Sequence, residues 1–234
     1  MGRVVVTVGV VGVMATGGLF ALRGAFSNGQ GELLRRVSVR ERVVALSFDD
    51  GPDPRWTPRV LSLLGRYQAS ATFFVTGRNA DAHPALIERE VALGEEVANH
   101  TYSHPYLVRL PAAVVQTEIE RATEAIQRAG APRPTLFRPP YGMLDATIVN
   151  TVRRNRLQLV LWSITVERYL DQGTIKTEVA RILSAIRPGS IILAHDGGVP
   201  DRSRTLTALP ILLQGLRERG YQTISVGQLL ALHH

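Results

Sequence analysis

The sequence predicts an α/β fold, an irregular or incompletely closed (β/α) barrel with mainly parallel strands. Three observations lead there. From Val43 onward, short apolar runs alternate with amphipathic stretches, the pattern of strands each followed by a covering helix. Seven such runs fit a barrel better than a small open sheet. At 234 residues and 45% hydrophobic content, the chain can bury one large core.

Before this alternation begins, the N-terminus has a different character. Val4 to Leu22 is uncharged, rich in Val and Gly, and bounded by Arg3 and Arg23. It just reaches the roughly twenty residues needed to cross a bilayer. Residues 1–25 are therefore expected to be a membrane anchor, or a signal segment that makes the protein secreted if cleaved, with an extracytoplasmic domain beyond. Arg23, Arg35, Arg36, Arg40 and Arg42 follow the stretch and only Arg3 precedes it, which runs against the usual charge bias for an exported C-terminal domain. The polar, Gly-containing residues 26–42 read as a linker, and 43–234 as the folded domain.

Strands are expected at Val43–Phe48, Ala71–Val75, Glu96–Asn99, Leu136–Arg138, Leu157–Trp162, Ser190–His195 and Tyr221–Ile224. Helices are expected at Pro58–Tyr67, Pro84–Leu93, Ala112–Ala129, Asp145–Asn155, Thr174–Ile186 and Arg204–Arg219. No internal repeat is present. The net charge of +7 is carried almost wholly by arginine, with Lys176 the only lysine. These arginines are scattered among acids as on an ordinary solvated surface, and no nucleic-acid motif accompanies them. The chain has no cysteine, so disulfides and thiolate metal sites are excluded and any metal must be held by His, Asp or Glu.

In parallel α/β folds, reactive groups collect where strands end. Four polar clusters occupy such places. Asp49 and Asp50 leave the first strand together, just before Gly51-Pro52. Two adjacent carboxylates, if desolvated, repel each other, so one needs a cation or a proton, and the pair divides into metal ligand and acid/base. His100 and His104 are four residues apart, and one helical turn would bring them to one face. Together with one carboxylate they make a two-His, one-Asp site with positions left for water and substrate. Arg138, in a rigid Phe-Arg-Pro-Pro-Tyr-Gly turn, is placed to orient a carboxylate, and the turn to offer a backbone N–H. His195 ends a wholly apolar strand, where it can act as a general acid.

In the order and spacing of these motifs, the sequence resembles the polysaccharide deacetylases, carbohydrate esterase family 4, across roughly Val43 to Val226. Phe48-Asp49-Asp50-Gly51-Pro52, His100-Thr-Tyr-Ser-His104, Arg138-Pro-Pro-Tyr141 and Leu193-Ala-His195 match four of the family's motifs. The resemblance implies an irregular barrel and a zinc-type divalent metal, with cobalt or another divalent ion as an alternative, on Asp50, His100 and His104. It further implies Asp49 as base, Arg138 as its partner, the Tyr141 backbone N–H as oxyanion donor and His195 as acid. The expected partner is an acetylated amino-sugar polymer of the envelope, peptidoglycan or chitin-like.

The remaining family motif is altered. An acid is expected three residues after Trp162, where Thr165 stands, and Arg168-Tyr169 replace a second acid and a tryptophan. Glu167, two residues beyond Thr165, would lie on the same strand face if the strand continued. Two other functions share this pattern: a metal-retaining but inactive carbohydrate-binding protein, and a deacetylase of a small acetylated amine.

Overall fold

The computed structural model describes residues 33–170, 173–198 and 201–232. The anchor expected over 1–25 lies outside them. Among the described residues, no helix is long and apolar enough to cross a membrane.

The chain runs β1 (Val43–Asp49), α1 (Thr57–Tyr67), β2 (Ala71–Val75), α2 (Gly77–Ala82), α3 (Pro84–Ala92), β3 (Glu96–Asn99), α4 (Ala112–Arg128), β4 (Leu136–Phe137) and α5 (Ala146–Arg154). It continues through β5 (Gln158–Leu159), β6 (Ile164–Thr165), α6 (Ile175–Ala185), β7 (Ile191–His195), α7 (Ser203–Glu218), β8 (Gln222–Ile224) and α8 (Val226–Ala231). Helix starts carry recognisable signals. Pro58 and Pro84 stand in the first turns of α1 and α3, where the missing N–H costs nothing. Asp145 and Ser225 cap α5 and α8, the latter through a reciprocal capping box with Gln228.

Every strand pairing is parallel, in the order β5-β4-β3-β2-β1-β7-β6. Strand β8 pairs with the first residues of β1, Val43–Ala45, and β2 with the last, Leu46–Asp49. The result is a curled, incompletely closed barrel. All seven residues of β1 are buried, as a strand covered on both faces requires. Alternate residues serve two cores. Val44, Leu46, Phe48, Phe73 and Ile192 pack outward against helices, joined by Val60, Leu64, Ile182 and Leu212. Val43, Ala45, Phe74, Ala98 and Ile191 point inward, where Val37, Val226 and Leu229 fill the interior.

Part of the expected linker is therefore structural. Leu34 bridges Val160, Arg36 bridges Ser190, and Val37 is buried, so residues 33–37 lie across the two margins of the sheet instead of forming a free tether. The expected strand Leu157–Trp162 is also cut short. Only Gln158–Leu159 pairs with β4, and a second short strand at Ile164–Thr165 pairs with β7 at the other margin. Between them the chain crosses the open side of the barrel, and Trp162 turns toward the site.

Candidate active site

All four polar clusters meet at the carboxyl ends of the strands, around a cavity of about 600 Å³. That volume is within the range of ordinary small-molecule sites. Asp49 continues the inward row Val43, Ala45, Ser47, and it stands in register with His195 on the neighbouring strand. Strand pairing alone thus puts the two side by side.

Asp49 is buried, and one carboxylate oxygen takes a hydrogen bond of 2.5 Å from Arg138 Nη1. Arg138 has no exposed surface. Its other donors reach the Val160 and Leu161 carbonyls, and its guanidinium lies 3.9 Å above the Phe74 ring. An arginine held on so many sides is a fixed orienting group. Burial lifts the Asp49 carboxyl above its usual range, and the Arg138 charge works against that rise without cancelling it. Complete desolvation outweighs the ion pair.

Beside Asp49, Asp50 turns away at a positive φ of 72°. Its Oδ1 lies 3.2 Å from His104 Nε2 and 3.6 Å from His100 Nε2. The three donor atoms fall within 4.8 Å of one another. His100 Nδ1 meets the Arg138 carbonyl at 2.7 Å, which leaves Nε2 facing the other two ligands. Burial pushes the His100 pKa down to about 3, so the imidazole is neutral, as a ligand must be. Two imidazoles and one carboxylate, aimed at one point and open on the cavity side, fit a catalytic divalent cation.

The His pair does not come from a helical turn. Residues 100–104 form a loop with positive φ at Thr101 (69°) and His104 (59°). The Asn99 side chain accepts from Thr101 N, and Thr101 Oγ1 accepts from His104 N, so side chains supply the curvature a helix would have given.

Tyr141 lies in the turn after Arg138, with φ of 60°, and its backbone N–H has no acceptor among the described residues. An N–H left free at a cavity rim is what an oxyanion needs. On the opposite wall His195 Nδ1 faces Glu167 Oε2 at 3.3 Å, an ion-pair separation. Glu167 Oε1 also accepts from the His195 backbone N–H at 2.9 Å and from Thr205 Oγ1 at 3.1 Å. Burial opposes the imidazolium, yet the Glu167 carboxylate outweighs it and the His195 pKa is raised. Burial likewise opposes the Glu167 carboxylate, but His195 and Thr205 hold its pKa below the usual range. Thr165 lines the cavity without an acidic group.

The sequence reading missed Arg202, which is buried and places Nη2 3.6 Å from Asp50 Oδ2. Nothing in a lone arginine between Asp201 and Ser203 signals that role. Gly197 and Gly198 let this loop close on Asp50: a Cβ at Gly197 would stand 2.2 Å from the Asp50 carbonyl oxygen.

A buried carboxylate with a cationic partner, two imidazoles and a carboxylate that could hold a metal, an open N–H and an opposing histidine are the groups a metal-assisted hydrolase of an acyl bond uses. Residues 36–160 match the family model described as polysaccharide deacetylase. The chain is 35% identical over 199 residues to the peptidoglycan-N-acetylglucosamine deacetylase of Bacillus cereus, covering 85% of this chain and 92% of the relative. It is 40% identical over 200 residues to the chitooligosaccharide deacetylase of Bradyrhizobium sp., covering 80% and 90%. The solved Bc1960 peptidoglycan N-acetylglucosamine deacetylase superposes with a TM-score of 0.79 at 27% identity, covering 84% of this chain and 92% of that one. The chain belongs to the polysaccharide deacetylase family.

Proposed function

We propose that the protein is a metal-dependent N-deacetylase acting on an acetylated amino-sugar polymer of the cell envelope, peptidoglycan or a chitin-like chain. The observation that carries this reading is the buried Asp49, clamped by Arg138 with its second oxygen 3.7 Å from His100 Nε2, so that the base borders the ligand triad. Relatives named as deacetylases of peptidoglycan and of chitooligosaccharides support the substrate class. Such substrates lie outside the cytoplasmic membrane, in keeping with the anchor or signal segment proposed for residues 1–25.

Asp50, His100 and His104 would hold the cation, which we take to be zinc from the imidazole-rich donor set. Once bound, it supplies positive charge that polarises the amide carbonyl and acidifies a water. Asp49 accepts the proton of the attacking water, and its raised pKa brings it closer to the operating pH of a general base. Arg138 fixes the carboxylate's direction. The Tyr141 N–H donates to the oxyanion as the carbonyl carbon becomes tetrahedral. His195, kept protonated by Glu167, delivers a proton to the departing nitrogen, since an amine anion is a very poor leaving group. The products are acetate and a free amino sugar.

The test is product analysis on acetylated peptidoglycan, on chito-oligosaccharides and on a small acetylated amine, with zinc or cobalt added. Acetate release from at least one polymer is expected, at a much higher kcat/KM than from the small amine. No turnover on either polymer by metal-loaded protein would overturn the reading.

A further inference from the structure

Most large apolar side chains of this fold are buried, yet two exposed tyrosines meet beside the cavity. Tyr141 is 61% exposed and Tyr106 53%. The Tyr106 and Tyr141 ring centroids are 5.9 Å apart with planes tilted by 44°, and Tyr141 in turn lies edge-on to His104 at 4.8 Å. Tyr141 lines the cavity, whereas Tyr106 does not. The aromatic surface therefore starts at the ligand His104 and extends outward beyond the space where one sugar would react.

Backbone restraint holds the pair in place. Tyr106 stands between Pro105, whose ring fixes its own φ, and the buried Leu107. Neither tyrosine hydroxyl has a hydrogen-bond partner among the described residues, so both polar tips are free for a ligand. A rigid aromatic face with a free phenol matches the alternating surfaces of a pyranose, apolar C–H on its faces and hydroxyls at its rim. Two fixed rings bind at little conformational cost. Left in water, such a patch is the kind of exposed apolar surface that marks a binding site.

The geometry points to Tyr106, with the outer face of Tyr141, as a stacking subsite for the sugar ring next to the one being deacetylated in a linked amino-sugar chain. This rests on the deacetylase reading, and it adds a length requirement. A substrate of two or more linked rings reaches Tyr106, and a single sugar does not. Tyr106 touches no reacting atom, so its effect falls on KM.

The experiment compares the full chain with Tyr106→Ala and Tyr106→Phe on the tetramer of β-linked N-acetylglucosamine and on monomeric N-acetylglucosamine, with zinc content measured for each protein. In Tyr106→Ala, the ratio of kcat/KM on tetramer to that on monomer is expected to fall about tenfold, through KM, with zinc content retained. Tyr106→Phe keeps the ratio, because the ring carries the contact. Tetramer affinity measured by tyrosine and tryptophan fluorescence should weaken in parallel. An unchanged ratio and affinity in Tyr106→Ala, or equal losses on both substrates, would overturn the subsite. Absence of turnover in the unsubstituted protein would instead remove the deacetylase reading, leaving the affinity measurement to decide the subsite.

Discussion

The base side of the pocket and the acid side are assembled by different means. On the base side, Asp49, Asp50, His100, His104 and Arg138 stand at strand ends or in tight loops immediately after them, each within a short recognisable motif. On the acid side, only His195 does. Its partner Glu167 comes from a 3₁₀ turn, Glu167–Tyr169, after the short strand β6 has already ended at Thr165. The expected mechanism for Glu167, continuation along one strand face, does not operate. The turn carries the carboxylate back over β7, where Val166 N donates to the Leu193 carbonyl and brings Glu167 against His195. A carboxylate's position in space, and not its place in the chain, equips the acid.

The comparison predicts unequal sensitivities. The largest effect belongs to the ligands. Asp50→Ala should lose stoichiometric zinc or cobalt by metal analysis, and acetate release should fall by roughly 10³ or more. Retention of metal would transfer the ligand role elsewhere and break the division between the two sides.

An intermediate effect is expected on the acid side. Glu167→Gln should lower kcat by about 10–100-fold. The sign of its pH effect follows from the raised His195 pKa. Catalysis needs the imidazolium, so activity is lost as pH rises through that pKa. Without the Glu167 carboxylate the pKa drops, and the alkaline limb of the kcat profile should move to lower pH. A parallel loss with no shift of that limb would make Glu167 merely structural.

The smallest effect lies outside the pocket and sharpens what a partner does. Glu90 on α3 is as buried as Asp49, but its carboxylate oxygens have no hydrogen-bond partner among the described residues. Burial, then the charges of Asp196 and Glu95, raise its pKa well above 4.5. A folded-state pKa above the unfolded one means that the stability contribution is complete below about pH 4.5 and is lost as pH rises through the folded value. Glu90→Leu should therefore raise Tm at pH 8 by about 2–4 °C and flatten its fall with pH, with little change in kcat. A lower Tm for Glu90→Leu at pH 8 would show a partner for Glu90.

Much of this was legible in the residues, for identifiable reasons. Strands β2 and β3 fall where the apolar runs placed them, because Phe73, Phe74 and Val75 in the one and Val97 and Ala98 in the other are buried between the two layers of the fold. The base-side residues were legible because each sits directly after such a run. What escaped depended on long-range packing. Helix α2, Gly77–Ala82, has no apolar periodicity, and its first turn is held by the Thr101 and Tyr102 carbonyls from the next loop. Residues 33–37 carry arginines and look like a tether, but Val37 and Leu34 are bound by sheet margins far away in sequence. Arg202 reaches the site from a segment without a strand-end signal, whereas Glu167 was visible in the sequence but its route, through a turn and not along a strand face, was not.

The central claim is that Asp49 is the base of a metal-dependent deacetylase, and one measurement addresses it most directly. Acetate release from N-acetylglucosamine oligomers should be compared between the unsubstituted protein and Asp49→Asn at equal zinc content. A fall in kcat of about 10³ is expected with the metal retained. Full activity in Asp49→Asn at equal metal content would contradict the account.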